Sequence, residues 1–141
     1  MANELKIGVV GYSPPTKFDE IKAARIINEA YDLLESQYPK IKKTVVSGLT
    51  NVGVPSIAYR EAVKRGYKTI GVACEKAYDF LLFPVNESFI VGKEWGDESP
   101  KFLSLIDVII RIGGGKQSAR EVLESKVQGK QIIEYNLESI K

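Results

Sequence analysis

Short apolar runs alternate with longer amphipathic stretches along the whole chain. The runs cover residues 5–12 (LKIGVVGY), 43–48 (KTVVSG), 68–74 (KTIGVAC), 88–92 (SFIVG), 107–112 (DVIIRI) and 130–136 (KQIIEYN). Most are continuously apolar instead of alternating, the pattern of strands covered by helices on both faces. Between the first two, Ile21, Ala24, Ile27, Ala30, Tyr31 and Leu34 recur at helical spacing and predict a long helix over residues 18–37. A second helix is predicted from Pro55, which a first turn tolerates, to a C-terminal cap at Gly66; a third covers residues 99–106 and a fourth 118–129, closed by Gly129. Residues 75–88 (EKAYDFLLFPVNES) read equally as a short helix, a loop wall or part of an interface. Strands alternating with helices predict βαβ units. The expected fold is therefore a three-layer α/β/α Rossmann-like one, with a central, mostly parallel sheet of about six strands.

Composition narrows the chemistry. A chain of 141 residues fits one domain, and with 44% hydrophobic and 27% charged residues it lies far from the disordered class. The net charge of +2 comes from 20 basic and 18 acidic residues scattered among one another, so no stripe for nucleic acid forms. The one cysteine, Cys74, excludes an internal disulfide and reads as a buried small residue after a strand. Histidine is absent. That removes Ser-His-Asp and Cys-His catalysis and any His-ligated metal centre, so no metal site is expected. The first residues (MANELKIGVV) carry no basic leader before a long apolar stretch, and no run approaches a membrane span. A soluble, cytoplasmic protein is expected.

In an open parallel sheet, ligands gather beyond the carboxyl ends of the strands. Three loops at such ends are rich in glycine or hydroxyl groups. In GYSPPTK (residues 11–17), Ser13 and Thr16 can cap the following helix or donate to an anion. In SGLTNVGVPS (residues 47–56), Gly48 and Gly53 can mark a ligand approach or simply backbone with positive φ. In IGGGKQSARE (residues 112–121), three glycines precede Lys116, Gln117, Ser118 and Glu121. There Ser118 and Glu121 have the S-x-x-E spacing of a capping box, which explains the glutamate without any catalysis. The loop is not a Walker A sequence, because its lysine is not followed directly by Ser or Thr. As a dinucleotide fingerprint it falls after the fifth predicted strand instead of the first. Arg111, a charge inside an otherwise apolar strand, needs either an acidic partner such as Asp107 or an opening into a site.

In order, these segments resemble the Rossmann-like nucleotide-binding superfamily that includes the Lonely Guy phosphoribohydrolases, the proteins called possible lysine decarboxylases, the molybdenum cofactor carrier proteins and the DNA processing protein A fold. The resemblance runs from about Lys6 to Asn136. Ser47 and Gly48 match a glycine pair of the Lonely Guy branch and Gly53 a glycine of its next turn. GGGKQSARE is similar to its Pro-Gly-Gly-x-Gly-Thr-x-x-Glu motif: Gly114 and Gly115 match the glycine pair, Ser118 the threonine and Glu121 the glutamate, while Asp107 matches an aspartate opening the preceding strand. Gly113 stands in place of the motif's proline and Gln117 in place of its third glycine. Glu98 and Ser99 stand where that branch carries an Arg-Lys pair, with Lys101 the nearest cation.

The resemblance implies a nucleotide-like, phosphorylated small-molecule ligand. Its phosphate would lie on the backbone N–H groups between Gly113 and Ser118, with Lys116 and Gln117 beside it; Gly11, Ser13, Gly48, Asn51 and Gly53 would line the sugar and base, and Glu121 would be the catalytic residue if the bond to the base is cleaved. Without the arginine, binding ranks above hydrolysis, and a carrier for a pterin such as molybdenum cofactor is a further alternative. No cofactor is required beyond a bound nucleotide or phosphate. The resemblance also implies a homo-oligomer, a dimer or a tetramer.

Overall fold

The computed structural model describes residues 3–13 and 15–140. Strand β1 (Glu4–Gly11) runs up the middle of the sheet and leads through a two-residue strand β2 (Lys17–Phe18) into helix α1 (Glu20–Gln37). The chain returns as β3 (Lys42–Ser47), crosses by α2 (Gly53–Lys64) to β4 (Lys68–Ala73), and passes a 3-10 turn (Glu75–Asp79) to β5 (Glu87–Ile90). It then crosses back through α3 (Ser99–Leu105) to β6 (Val108–Ile112), continues by α4 (Lys116–Val127) to β7 (Gln131–Tyr135), and ends in β8 (Ser139–Ile140). The six long strands lie in the order β5-β4-β3-β1-β6-β7, and every pairing is parallel. This is the three-layer α/β/α Rossmann-like architecture that the apolar runs predict.

Each face of the sheet is closed by one pair of helices. On one, Ala23, Ile27, Tyr31 and Leu34 of α1 and Ile57, Tyr59 and Ala62 of α2 pack on Leu5, Ile7, Val9 and Val45. On the other, Phe102 and Leu103 of α3 and Val122 of α4 pack on Val10, Val46, Val72 and Ile109. The alternation of Val9 and Val10 between the two cores follows from the period of two along a strand. From Ile7 to Val10 both sides of β1 are buried, and its sequence there is continuously apolar.

Four elements depart from the sequence reading. Helix α1 begins at Glu20, two residues after its expected start, because Asp19 caps it. Helix α2 begins two residues before Pro55, where the carbonyl of Tyr12 accepts from Val54 N–H (2.9 Å). Helix α4 begins two residues before Ser118, with Gly115 as its cap. The tail folds back so that β8 pairs antiparallel with β2, and Tyr12 Oη donates to the Leu137 carbonyl (2.7 Å). Residues 75–88 form the 3-10 turn and then extended chain entering β5. Among the described residues no helix is long and apolar enough to cross a membrane.

From β1 the chain winds one way across the sheet to β5, then resumes on the other side of β1 with β6. The loops that leave β1 and β6 therefore diverge, and a crevice opens between them at the carboxyl ends of the strands.

Candidate functional site

A cavity of about 420 Å³ occupies this crevice, within the size range of small-molecule sites. Its floor is the ends of the central strands, with Gly11 of β1 and the following Tyr12 and Ser13, Ser47 of β3 and the following Gly48, and Val72 and Ala73 of β4. The start of α4 adds Gly115, Lys116, Gln117, Ser118 and Glu121, and Phe80, Trp95, Glu98 and Phe102 complete the lining, with α3 meeting α4 through Ser99 and Glu121.

The α4 end is built by the glycine turn. Gly113 (φ 59°) and Gly114 (φ 97°) lie in the left-handed region, and a Cβ on either would overlap Tyr12 or Ser118. The fold itself requires both. Gly115 is different: its φ is −102°, and a Cβ there would meet nothing within 4 Å. Neither packing nor a left-handed backbone asks for glycine at this position, whose missing side chain leaves open the space in front of the helix. Gly48 across the cavity is similar, its nearest neighbour being Pro55 Cγ at an ordinary 3.6 Å. Its carbonyl is pinned from behind by Tyr59 Oη (2.7 Å).

The first intrahelical bond of α4 runs from Ala119 N–H to the Gly115 carbonyl (3.1 Å), and no side chain caps the helix. The N–H groups of Lys116, Gln117 and Ser118 thus precede any helical acceptor. With the positive end of the helix dipole behind them, they form a place where an anion is favoured. The capping box expected from Ser118 and Glu121 does not form. With the helix starting at Lys116, Ser118 already lies inside its first turn and donates to the Gly115 carbonyl (3.1 Å), while Glu121 points across to α3.

Glu121 is 6% exposed and accepts from Ser99 Oγ (2.8 Å). Burial raises its carboxyl above the usual carboxylate range, opposed by hydrogen bonding from Ser99 and Gln117 and reinforced by the negative charge of Glu98. Glu98 is also 6% exposed; its Oε1 accepts from Gly96 N–H (2.7 Å). Two buried acids thus share a cavity in which Lys116, among the described lining residues, is the one cation. Cys74 is fully buried just beyond β4. Burial pushes its thiol up, and Glu98 adds to the shift.

The expected site residues divide. Gly11, Ser13, Gly48, Gly115, Lys116, Gln117, Ser118 and Glu121 line the cavity together with Thr16. Asn51 lies outside its lining and is occupied structurally, accepting from Ser56 Oγ (2.8 Å) and donating its N–H to the Leu81 carbonyl (2.8 Å). A Cβ on Gly53 would press on the Tyr12 carbonyl at 2.6 Å, so that glycine serves the contact between the first and second loops. Gly113, Gly114 and Arg111 line a second, more open cavity behind the turn. The pairing of Arg111 with Asp107 is corrected. Four residues apart on one strand, the two lie roughly 13 Å from each other. Arg111 instead meets Glu134 of β7 (3.4 Å) and donates from Nε to the Gly113 carbonyl (2.9 Å), while Asp107 accepts from Lys6 N–H (2.9 Å). Ser13 and Thr16 do not cap α1; Asp19 does, accepting from Lys22 N–H (3.0 Å).

The buried acid Glu98 and the aromatic wall of Phe80, Trp95 and Phe102 did not emerge from sequence reasoning as site residues. They come from two segments, Phe80 after the 3-10 turn and residues 95–102 leading into α3, and the one signal was an acid in place of the arginine expected at position 98.

A parallel three-layer sheet with this crevice at its switch point defines a Rossmann-like α/β protein with a carboxyl-end cleft. The chain shares that fold with several solved structures. The molybdenum cofactor binding protein from the phototrophic bacterium Rippkaea orientalis is 23% identical with a TM-score of 0.75, over 96% of this chain and 78% of that one. The molybdenum cofactor carrier protein from Chlamydomonas reinhardtii is 20% identical with a TM-score of 0.63, over 94% and 76%. A structural-genomics target is 24% identical with a TM-score of 0.69, over 91% and 72%. No protein-family model and no curated protein matches the chain.

Proposed function

We propose that the cleft binds a phosphorylated, nucleotide-like small molecule, with its phosphate on the N–H groups of Lys116, Gln117 and Ser118. Gly115 carries this reading. It is a glycine that neither packing nor a left-handed backbone requires, at the open start of an uncapped helix, facing a cavity of ligand size. Ser118 Oγ adds a donor, Ser13 and Gly48 meet the middle of the molecule, and Phe80 and Trp95 offer a planar ring a stacking surface. From β6 to β4 is three strand spacings, about 14 Å, room for a mononucleotide from phosphate to base.

Calorimetric titration with adenosine and guanosine 5'-monophosphates and their nucleosides tests this. At least one monophosphate should bind ten times or more tighter than its nucleoside; equal affinities would remove the phosphate site. Binding without hydrolysis is the favoured form, because Glu121 is engaged by Ser99 beside Glu98 and no arginine is among the described residues that line the cavity. Incubation at high protein concentration should release no free base. The likeness to molybdenum cofactor binding and carrier proteins supports a second form, in which the molecule is a phosphorylated pterin and the protein its carrier. Mass spectrometry of material that co-purifies separates the two. Self-association belongs to the same proposal, supported by the exposed Tyr78, Phe80, Leu81 and Trp95; sedimentation should show a dimer or a tetramer.

A further inference from the structure

We infer that the outer edge of β7 is where one copy of this chain meets a second, the two β7 strands pairing antiparallel about a twofold axis at Ile132 and joining the two sheets into one. The inference rests on the self-association reading above, gives it an interface away from the exposed aromatics, and is independent of the ligand.

Strand β7 lies at one end of the sheet, and its pairing with β6 fixes which backbone groups face outward. Gly113 N–H donates to the Tyr135 carbonyl. In a parallel ladder the residue that accepts such a bond turns both its backbone groups to that neighbour, and its chain neighbours turn theirs away. Gln131, Ile133 and Tyr135 therefore face β6, while Ile132 and Glu134 present N–H and C=O to the outside. No described hydrogen bond reaches those groups. Edge strands are ordinarily blunted by a proline, a bulge or extreme shortness. β7 has no proline and pairs with β6 over its whole length without a break. The opposite edge, β5, has four residues, and its first two, Glu87 and Ser88, are exposed.

Apolar groups stand half-covered on both faces of this edge. Ile132 is half-buried against the core under α3 and α4, and Ile133 against the core under α1 and α2. On α1, Glu29, Leu33 and Gln37 form one row at intervals of four. Gln37 accepts from Gln131 Nε2 (2.8 Å) and the charge of Glu29 is felt at Tyr135, so Leu33 between them, 43% exposed, flanks the same strand. A second copy laid along β7 covers these side chains and pairs the open backbone groups together.

Charge selects the register. Residues directly opposite in an antiparallel pair share a face of the sheet, so the axis passes through a residue. About Ile132, Lys130 stands opposite Glu134 of the second copy, the same pair recurs across the axis, and Ile132 meets its own counterpart. About Ile133, Glu134 would instead lie against an isoleucine, a charge covered without a partner. Lys130 spends one donor on the Ile106 carbonyl (2.8 Å), and Glu134 is held loosely by Arg111 (3.4 Å) and Lys126 (3.5 Å), so both keep capacity for the new pair. The backbone agrees with this choice. Ile132 N–H and C=O exchange bonds with their counterparts, and Glu134 N–H reaches the carbonyl of Lys130, whose own N–H is already given to Ser125. A contact of this kind closes on itself and makes a dimer.

Sedimentation of the full chain without ligand tests the interface. Ile132→Pro removes an N–H that makes no described bond within the protomer, a change that a strand edge tolerates. It should weaken the dimer by roughly tenfold or more through the central bonds it deletes. Lys130→Glu and Glu134→Lys each set like charges opposite one another, so each alone should be monomeric, while an equal mixture of the two restores both ion pairs and should form a heterodimer. Melting curves confirm that the variants fold. Hydrogen exchange at the Ile132 and Glu134 amides should slow only at concentrations where the chain associates. A dimer unchanged in all three folded variants overturns the inference, as do two charge variants that dissociate and stay monomeric when mixed. If the unchanged dimer is instead lost in Leu81→Glu, self-association survives on the other surface. A parent chain that is monomeric at every concentration overturns both readings.

Discussion

Helices α1 and α4 both follow a loop that leaves the carboxyl end of a central strand, yet their first turns are finished in opposite ways. At α1 the carboxylate of Asp19 accepts from Lys22 N–H, and Glu20 adds a second acid near the positive end of the dipole. At α4 the cap is a glycine, no side chain reaches the free N–H groups, and the nearby acid, Glu121, turns away towards Ser99. One terminus is completed by the chain, and the other is left for something else. A fold under selection for stability alone would cap both, since a Ser, Thr, Asp or Asn cap is worth about 1 kcal/mol over alanine.

Giving α4 what α1 has should produce the largest effect. Gly115→Asp places a carboxylate in open space at the cap position, where it competes with a phosphate for the same N–H groups. Affinity for guanosine 5'-monophosphate should fall at least a hundredfold by calorimetry while the melting temperature holds or rises by about 1 °C, since exchanging glycine for a capping side chain changes stability by only a few tenths of a kcal/mol. The reverse exchange at α1 should be smaller and of the other kind. Asp19→Ala should lower stability by about 1 kcal/mol, roughly 3 °C for a chain of this length, and leave nucleotide affinity unchanged in the same titration.

The smallest effect concerns Glu121. Burial raises its carboxyl, so the folded protein holds this proton more tightly than the unfolded chain, where the group titrates at about 4.3. That contribution favours folding in acid and is lost as pH rises from about 4 through the raised value. Glu121→Gln should therefore be more stable than the parent at pH 7. Melting curves across pH should show the difference narrowing towards pH 4; a gap independent of pH would mean that the carboxyl is not held protonated by burial.

The contrast between the two termini also explains what could be read without coordinates. The sheet was legible because β1, β4 and β6 carry consecutive apolar residues buried on both faces, and the apolar stripe of α1 placed its end at Gln37, while its start at Glu20 lies two residues beyond the expected one. The starts of α2 and α4 were displaced by two residues because Val52 and Gly115 carry no capping side chain; the signal that was present, Ser118 with Glu121, belongs by spacing to a capping box that the earlier start of the helix makes impossible. The pairing of β2 with β8 rests on two residues a side, too few for any period. At the site, the glycine turn was visible as a motif, but its division of labour was not: Gly113 and Gly114 are explained by backbone and packing and Gly115 by neither, a difference that exists only in space. Glu98 and the aromatic wall are joined by the crossing from β5 to α3 and the packing of the loop after β4.

The most direct measurement is a titration of ¹⁵N-labelled protein with guanosine 5'-monophosphate, following the backbone amides. The largest changes should fall on Gly115, Lys116, Gln117 and Ser118, with guanosine alone leaving these four nearly still while shifting the side-chain signal of Trp95. Amides at the start of α4 that stay unmoved while the nucleotide binds elsewhere, or that respond equally to the nucleoside, would contradict a phosphate site at this helix.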